Sequence, residues 1–303
     1  MKIAVPNKGR LSEATLDLFR KAGLKVESSP DRKLYAVASY GRDLSAAAAA
    51  DATALDRTVQ ILFVRAQDIP EFVQDGVAHL GVTGEDILQE TRRDVRQLLD
   101  LRFGYCRLVV AVPEQSAIHD AKDIANGARI ATSFPQSALR FFDGLGKKVT
   151  VVEVSGATEI TPHIGVADAI VDLTSSGSTL AMNGLREIGT IVHSTARIVG
   201  NPRALDDPAL HKQIHPILAS LESVIKARGK RYLMANVPRE RLDEVRRILP
   251  GISGPTVMDI LSHPETVAAH AVVDEDALFE VVTRLKAIGA TGILVLPIER
   301  LVP

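Results

Sequence analysis

The stretch VADAIVDLTSSGSTL, residues 166–180, decides how the chain is read. It opens as a buried strand, with Val166, Ala167, Ala169, Ile170 and Val171, interrupted by Asp168 and Asp172. It then empties into Thr174, Ser175, Ser176, Gly177, Ser178 and Thr179, and LAMNGLREIG (180–189) after it predicts a helix. Such a loop at a helix start offers backbone N–H groups, hydroxyls and the positive end of a helix dipole, which suits an anion, phosphate above all. Gly177 lets the backbone approach the oxygens closely. Asp172 cannot greet a phosphate directly, because like charges repel. It fits a ribose hydroxyl pair or a Mg²⁺ that the phosphate also binds. An acid ahead of a Ser/Thr/Gly loop points to a ribose 5-phosphate cradle. The same string also suits a capped helix start behind an ordinary strand, and Asp168 suits a solvent-facing strand position.

Working outward, short apolar runs alternate with amphipathic patterns. KIAVP (2–6), ILFVRA (61–66), HLGVTG (79–84), YCRLVVAVP (105–113), ARIATSFP (128–135) and KVTVVEV (148–154) predict strands. LSEATLDLFRKAGL, AQDIPEFVQDG, EDILQETRR and QSALRFFDGLG predict the helices between them. This alternation argues for α/β layers with a mostly parallel sheet, whose ligands sit beyond the carboxyl ends of strands. VPNKGRL (5–11) is then a second candidate anion site, with Lys8 and Arg10 flanking Gly9 after the first strand. Solvated turn charges are the plainer reading. Arg65 stands at another strand end, either as a cleft cation or paired with Asp68.

After NPRALDDP (201–208) the texture changes. IHPILASLESVIKAR predicts a helix, and strands at RYLMANV, GPTVMDIL, TVAAHAVV and TGILVLPI frame two more helices. That is a βαββαβ, ferredoxin-like unit, suited to a small-molecule sensor or to assembly. The alanine-rich SAAAAADATALD (45–56) fits a helical insert or a loop equally.

With 303 residues, two or three domains are expected. A net charge of −1 gives no broad pull toward nucleic acid or anionic membrane. One cysteine, Cys106, excludes an internal disulfide framework. No secretory h-region opens the chain and no apolar run reaches the length of a membrane span, so a cytoplasmic enzyme is expected. The P-loop, G-x-G-x-x-G and H-E-x-x-H patterns are all missing from the sequence.

Taken in order, VPNKGRL, FVRAQDIPEFVQDG, LGVTGEDIL, GYCRLVVAVP, RIATSFP, SGATEITPHIGVADAIVDLTSSGSTLAMNGL, PTV and AIGATGILVLPIE resemble the long-form ATP phosphoribosyltransferases along nearly the whole chain. The segment from Glu159 to Leu180 resembles the family signature most specifically. The resemblance implies transfer of phosphoribosyl from 5-phosphoribosyl 1-pyrophosphate to N1 of ATP, with Mg²⁺, in histidine biosynthesis, by a pentosyltransferase. It implies an α/β fold: a two-domain, type II periplasmic-binding-protein-like catalytic core plus a C-terminal ferredoxin-like (ACT-like) domain that binds histidine as inhibitor. The expected division is residues 1–103 with 184–211 as a discontinuous catalytic domain I, 104–183 as domain II, and 212–303 as the regulatory domain. The assembly implied is a hexamer that can exchange with a dimer.

By the same resemblance, Glu159, Asp172 and the run Thr174, Ser175, Ser176, Gly177, Ser178, Thr179 and Leu180 hold the phosphoribosyl donor, with Asp172 the candidate metal ligand. Lys8, Arg10 and Arg65 are the expected catalytic cations, and Gly9 and Asp86 line the ATP side. Thr256, Ala290 and Asn236 are the expected histidine contacts. His79 stands where the family commonly has an aspartate; Asp86 as a substitute, or a tolerated surface change, would each account for it. An exported solute-binding protein, a purine-salvage phosphoribosyltransferase and an inactive paralogue are the rival readings.

Overall fold

The computed structural model describes residues 1–26, 34–40 and 58–302, so the alanine-rich stretch 45–56 lies outside the described residues. The chain divides into two compact units, Met1–Leu218 and Ala219–Pro303.

The first unit holds two sheets. Its first lobe is built from β1 (Lys2–Pro6), α1 (Arg10–Lys21), β2 (Leu24–Val26), β3 (Tyr35–Tyr40), β4 (Thr58–Val64), α2 (Ile69–Gln74), β5 (Leu80–Gly84), α3 (Glu85–Thr91) and β6 (Arg96–Asp100). The second lobe is β7 (Cys106–Pro113), β8 (Arg129–Thr132), α4 (Pro135–Gly144), β9 (Thr150–Glu153), β10 (Ala169–Thr174), α5 (Ser178–Met182) and β11 (Leu185–Ser194). The chain then returns to the first lobe as β12 (Ala196–Gly200) and leaves through α6 (Pro202–Asp206) and α7 (Pro208–Ala227).

The first-lobe sheet runs β2-β3-β4-β1-β5-β12-β6 and the second β11-β7-β10-β8-β9. Each has a parallel heart, β4-β1-β5 and β10-β8-β9, flanked by antiparallel strands. The expected mostly parallel sheet is therefore corrected to two mixed sheets. Strands covered on both faces are apolar whichever way they run, so composition does not report direction. Ile3, Val5, Ile61, Phe63, Leu80 and Val82 are buried in the first sheet. In the second lobe Leu108, Val110, Ile130, Phe142 and Val171 share one core. Full burial of side chains of this size contributes about 1.5–3 kcal/mol each.

Two expectations shift. LREIG is not helical: α5 ends at Met182, and Leu185–Ser194 is a strand hydrogen-bonded to β7. The return crossing to the first lobe thus falls at residue 195 rather than 184. The two crossings between the lobes lie side by side, with Leu101 N–H on the Ala196 carbonyl and Ala196 N–H on the Phe103 carbonyl, both at 2.9 Å.

The second unit contains β13 (Lys230–Pro238), α8 (Leu242–Ile248), β14 (Thr256–Asp259), β15 (Thr266–Asp274), α9 (Leu278–Ala287) and β16 (Thr291–Pro297), in sheet order β14-β15-β13-β16. This is the expected βαββαβ fold, with every pairing antiparallel. Leu233, Ala235 and Val237 of β13 and Val267, Ala269 and Ala271 of β15 pack with Val245, Ile248, Val281 and Leu285 of the helices. No helix among the described residues is long and apolar enough to cross a membrane.

Candidate active site

The parallel hearts explain where the chemistry gathers. In the first lobe, β1, β4 and β5 end at Pro6, Val64 and Gly84, so Lys8, Gly9, Arg10, Arg65 and Asp86 all leave one carboxyl edge. In the second, β9 and β10 end at Glu153 and Thr174, which releases Glu159 and the hydroxyl loop from the matching edge. The Arg10 guanidinium donates to Ser175 Oγ at 3.2 Å, so residues 165 apart in sequence join the two edges. The motifs VPNKGRL and LTSSGST therefore belong to one site.

The loop is built from within. Gly177 N–H donates to Thr174 Oγ1 at 2.8 Å, and the Ser176 and Ser178 hydroxyls lie 2.9 Å apart. Gly177 has φ 81°, a left-handed conformation that glycine adopts without strain. Thr179 anchors the turn differently, its carbonyl accepting from Asn183 Nδ2 at 2.9 Å. Leu180 is buried against Val109, Ile170 and Leu185, so its side chain pins the loop to the core and leaves ligand contact to the hydroxyls and amides. Because α5 has only five residues, its dipole is small, and the N–H groups and hydroxyls supply most of the attraction for an anion.

Asp172 and Glu159 come together below this loop. Burial, more than any other influence, pushes the Asp172 carboxyl up, and the Glu159 charge adds to the rise. The Leu173 N–H, 2.7 Å from Asp172 Oδ1, and the Thr158 hydroxyl act the other way. No cluster of three or more His, Cys, Asp or Glu side chains could cage a metal among the described residues. The Asp172–Glu159 pair fits a Mg²⁺ that keeps waters and substrate oxygens in its shell, as Mg²⁺ commonly does.

On the opposite edge the groups are open. Lys8, Arg10 and Arg65 are exposed, and none of them pairs with a carboxylate among the described residues, so the Arg65–Asp68 alternative is not formed. Gly9 (φ 80°, ψ −176°) precedes α1 in a conformation that side chains resist, and a Cβ there would meet open space.

Asp86 leaves the same edge, but its side chain turns inward. It is buried, its carboxylate accepts the Ser194 hydroxyl, and its N–H donates back to Ser194 Oγ at 3.1 Å. Burial pushes its pKa up. It ties the start of α3 to the crossing between lobes and does not face the open edge. Cys106 lies beside it, with its thiol pushed up by burial and by the Asp86 charge, the wrong direction for a nucleophile. His79 is at the amino end of β5, where its Nδ1 accepts the Lys2 N–H at 2.8 Å. It lies at the far end of the sheet from the loop edge, so it calls for no substitute acid. Asp168 is likewise structural, accepting the Arg129 N–H at 2.7 Å.

Two features escaped the sequence reading. Both Glu90 oxygens accept N–H groups, from Gln136 and Ser137 at 2.8 Å, so α3 of one lobe caps α4 of the other. Arg107 and Glu187 form a two-pronged ion pair at 2.6 and 2.9 Å beside the loop. Neither pairing has a local sequence signal.

In the second unit, Asn236 opposes Ala268 and Thr256 opposes His270, which sets both residues on the sheet face away from the helices. Ala290 is buried on the helix side, in the core with Val281 and Leu285. The three expected histidine contacts are thus split between two faces.

Comparison with known proteins matches the ATP phosphoribosyltransferase family over residues 65–223 and the HisG C-terminal domain family over residues 227–300. The chain is 50% identical to an ATP phosphoribosyltransferase of Gemmatimonas aurantiaca, covering 100% of both chains. It is 48% identical to one of Natronomonas pharaonis, again covering 100% of both. Among solved structures, an ATP phosphoribosyl transferase (HisG:HisZ) complex from Thermotoga maritima aligns with a TM-score of 0.60 at 27% identity, over 75% of this chain and 98% of that one.

Proposed function

The chain belongs to the ATP phosphoribosyltransferase family, which acts at the first step of histidine biosynthesis, and from that premise we propose how its own residues perform the transfer. The 5-phosphate of 5-phosphoribosyl 1-pyrophosphate rests on the loop 174–179, and its ribose hydroxyls are held by Asp172 and Glu159. Lys8, Arg10 and Arg65 face the pyrophosphate and the ATP phosphates. Adenine N1 attacks C1 of the ribose as the C1–O bond breaks and its electron pair departs on pyrophosphate. The ring carbon passes through an oxocarbenium-like state, so no protein nucleophile is needed. The lobes align N1, C1 and the leaving oxygen, and the cations stabilise the charge that grows on pyrophosphate. Mg²⁺ bound to the donor would neutralise part of that charge.

The observation that carries this reading is the Arg10–Ser175 hydrogen bond at 3.2 Å, because it brings a cationic edge and a phosphate-type loop within reach of one small diphosphate. The test incubates purified protein with ATP, 5-phosphoribosyl 1-pyrophosphate, Mg²⁺ and pyrophosphatase and follows adduct absorbance. Adduct that requires both substrates supports the reading; none from folded protein overturns it. For regulation, we propose that histidine binds the second unit, near Asn236 and Thr256, in an oligomer such as a hexamer that exchanges with a dimer. Histidine must then bind active and inactive forms with different affinities. Inhibition retained by a chain ending before the second unit would refute that assignment. We propose a cytoplasmic location for this reaction.

A further inference from the structure

Among the groups left out of that mechanism, the Arg107–Glu187 ion pair is the best formed. Its distances are 2.6 and 2.9 Å, and the side chains are 23% and 28% exposed. Ordering two long side chains is costly, and an isolated surface pair of this kind adds little stability. Its position gives it another use. Arg107 is the second residue of β7 and sits directly opposite Thr174, the last residue of β10 and the first of the loop. Glu187 extends from β11 so that a Cβ on Gly177 would lie 3.1 Å from its Oε1. The pair thus flanks both ends of the turn that Thr174 Oγ1 and the Gly177 N–H close.

A carboxylate against the glycine of an anion loop would repel the anion if it stood alone. Arg107 cancels that charge with two bonds in a fixed plane, which leaves Glu187 free to act as a rigid floor. We infer that the Arg107–Glu187 pair is a positioning device for the phosphoribosyl-donor loop, holding the Gly177 turn in its binding geometry before the donor arrives. Both residues act through the loop and touch no reacting atom. The inference rests on the assignment of residues 174–179 as the donor's phosphate site.

The experiment uses the full-length protein and the variants Glu187→Gln, Arg107→Lys and the double variant. It reads KM for each substrate, and binding of ribose 5-phosphate by calorimetry. Each single variant is expected to raise the donor KM and the ribose 5-phosphate Kd about tenfold, the worth of one charge-assisted hydrogen bond. The ATP KM stays within about twofold, and the double variant is no worse than the poorer single one, as residues acting as a unit require. Unchanged ribose 5-phosphate binding in both single variants, or equal loss for donor and ATP, overturns the inference. Should the wild type bind ribose 5-phosphate yet form no adduct, the transferase reading fails while the calorimetry still decides the role of the pair. Circular dichroism of each variant guards against misfolding, and if Arg107→Lys does not fold, Glu187→Gln alone decides.

Discussion

The two edges of the cleft are built on opposite principles. On the second lobe, the loop 174–179 is closed by its own hydrogen bonds, backed by Asp172 and Glu159, and floored by Arg107 and Glu187. On the first lobe, Lys8, Arg10 and Arg65 stand exposed with no carboxylate partner among the described residues. One edge is organised before a ligand arrives; the other keeps its charge unspent until one does. A preformed loop lowers the ordering cost of binding. Unpaired cations place attraction where charge develops on a leaving group, and that interaction is worth most in the transition state. On the proposed function, the contrast would give ground-state recognition of the donor to one lobe and rate acceleration to the other.

Arg10→Ala tests that division most severely, because Arg10 bridges the edges through a hydrogen bond to the loop. We expect kcat/KM to fall about 10²–10³-fold, chiefly in kcat, as when one transition-state donor is removed. A loss confined to the donor KM would erase the distinction between the lobes. Asp172→Asn should act on the other side, raising the donor KM about tenfold or more with the ATP KM little changed. The same variant should melt at a higher temperature. The Asp172 pKa is raised by folding, so the folded state holds that proton more tightly than the unfolded chain. The ionised carboxylate therefore costs stability, and the wild type should lose stability as pH rises through the raised value while Asp172→Asn does not. Melting curves across acidic pH check this, and a variant that melts lower throughout refutes it.

The smallest effect is expected at the amino end of the first sheet. Burial foremost, then the cationic N-terminus and Lys2, lower the His79 pKa below 6.5. Its contribution is then present above pH 6.5 and lost as the pH falls through the depressed value. His79→Gln should keep activity within about twofold and flatten that acid-side loss of stability, which amounts to about 1 kcal/mol or less. A large loss of activity would bring the far end of the sheet into the chemistry.

The chemical motifs were legible because each is local: a strand end, a glycine and a few polar side chains within ten residues. The join between them was not, since Arg10 and Ser175 meet only once two sheets have formed. β11 shows a different failure. Its buried residues Leu185, Ile188 and Val192 are spaced by three and four, as on a helix. Leu185 packs into one core and Ile188 and Val192 into the other, so both faces of the strand are buried and the spacing imitates a helix, while register shifts at Glu187/Gly189 and Thr190/Val192 blur the alternation further. Arg107 and Glu187 lie 80 residues apart and meet only across β7 and β11, so no local pattern announces the pair. The ferredoxin-like unit is legible nearly element by element, because its two central strands, β13 and β15, alternate cleanly between a helix-facing side and the other.

The position of β12 carries a consequence for how the molecule is made. It lies between β5 and β6 and hydrogen-bonds to both, yet it follows the entire second lobe in the chain. On the ribosome, the amino-terminal strands must wait with a gap in their sheet while residues 106–194 emerge and fold. The lobe begun first is therefore completed last, and while the gap stands the facing edges of β5 and β6 are where nascent chains would mispair.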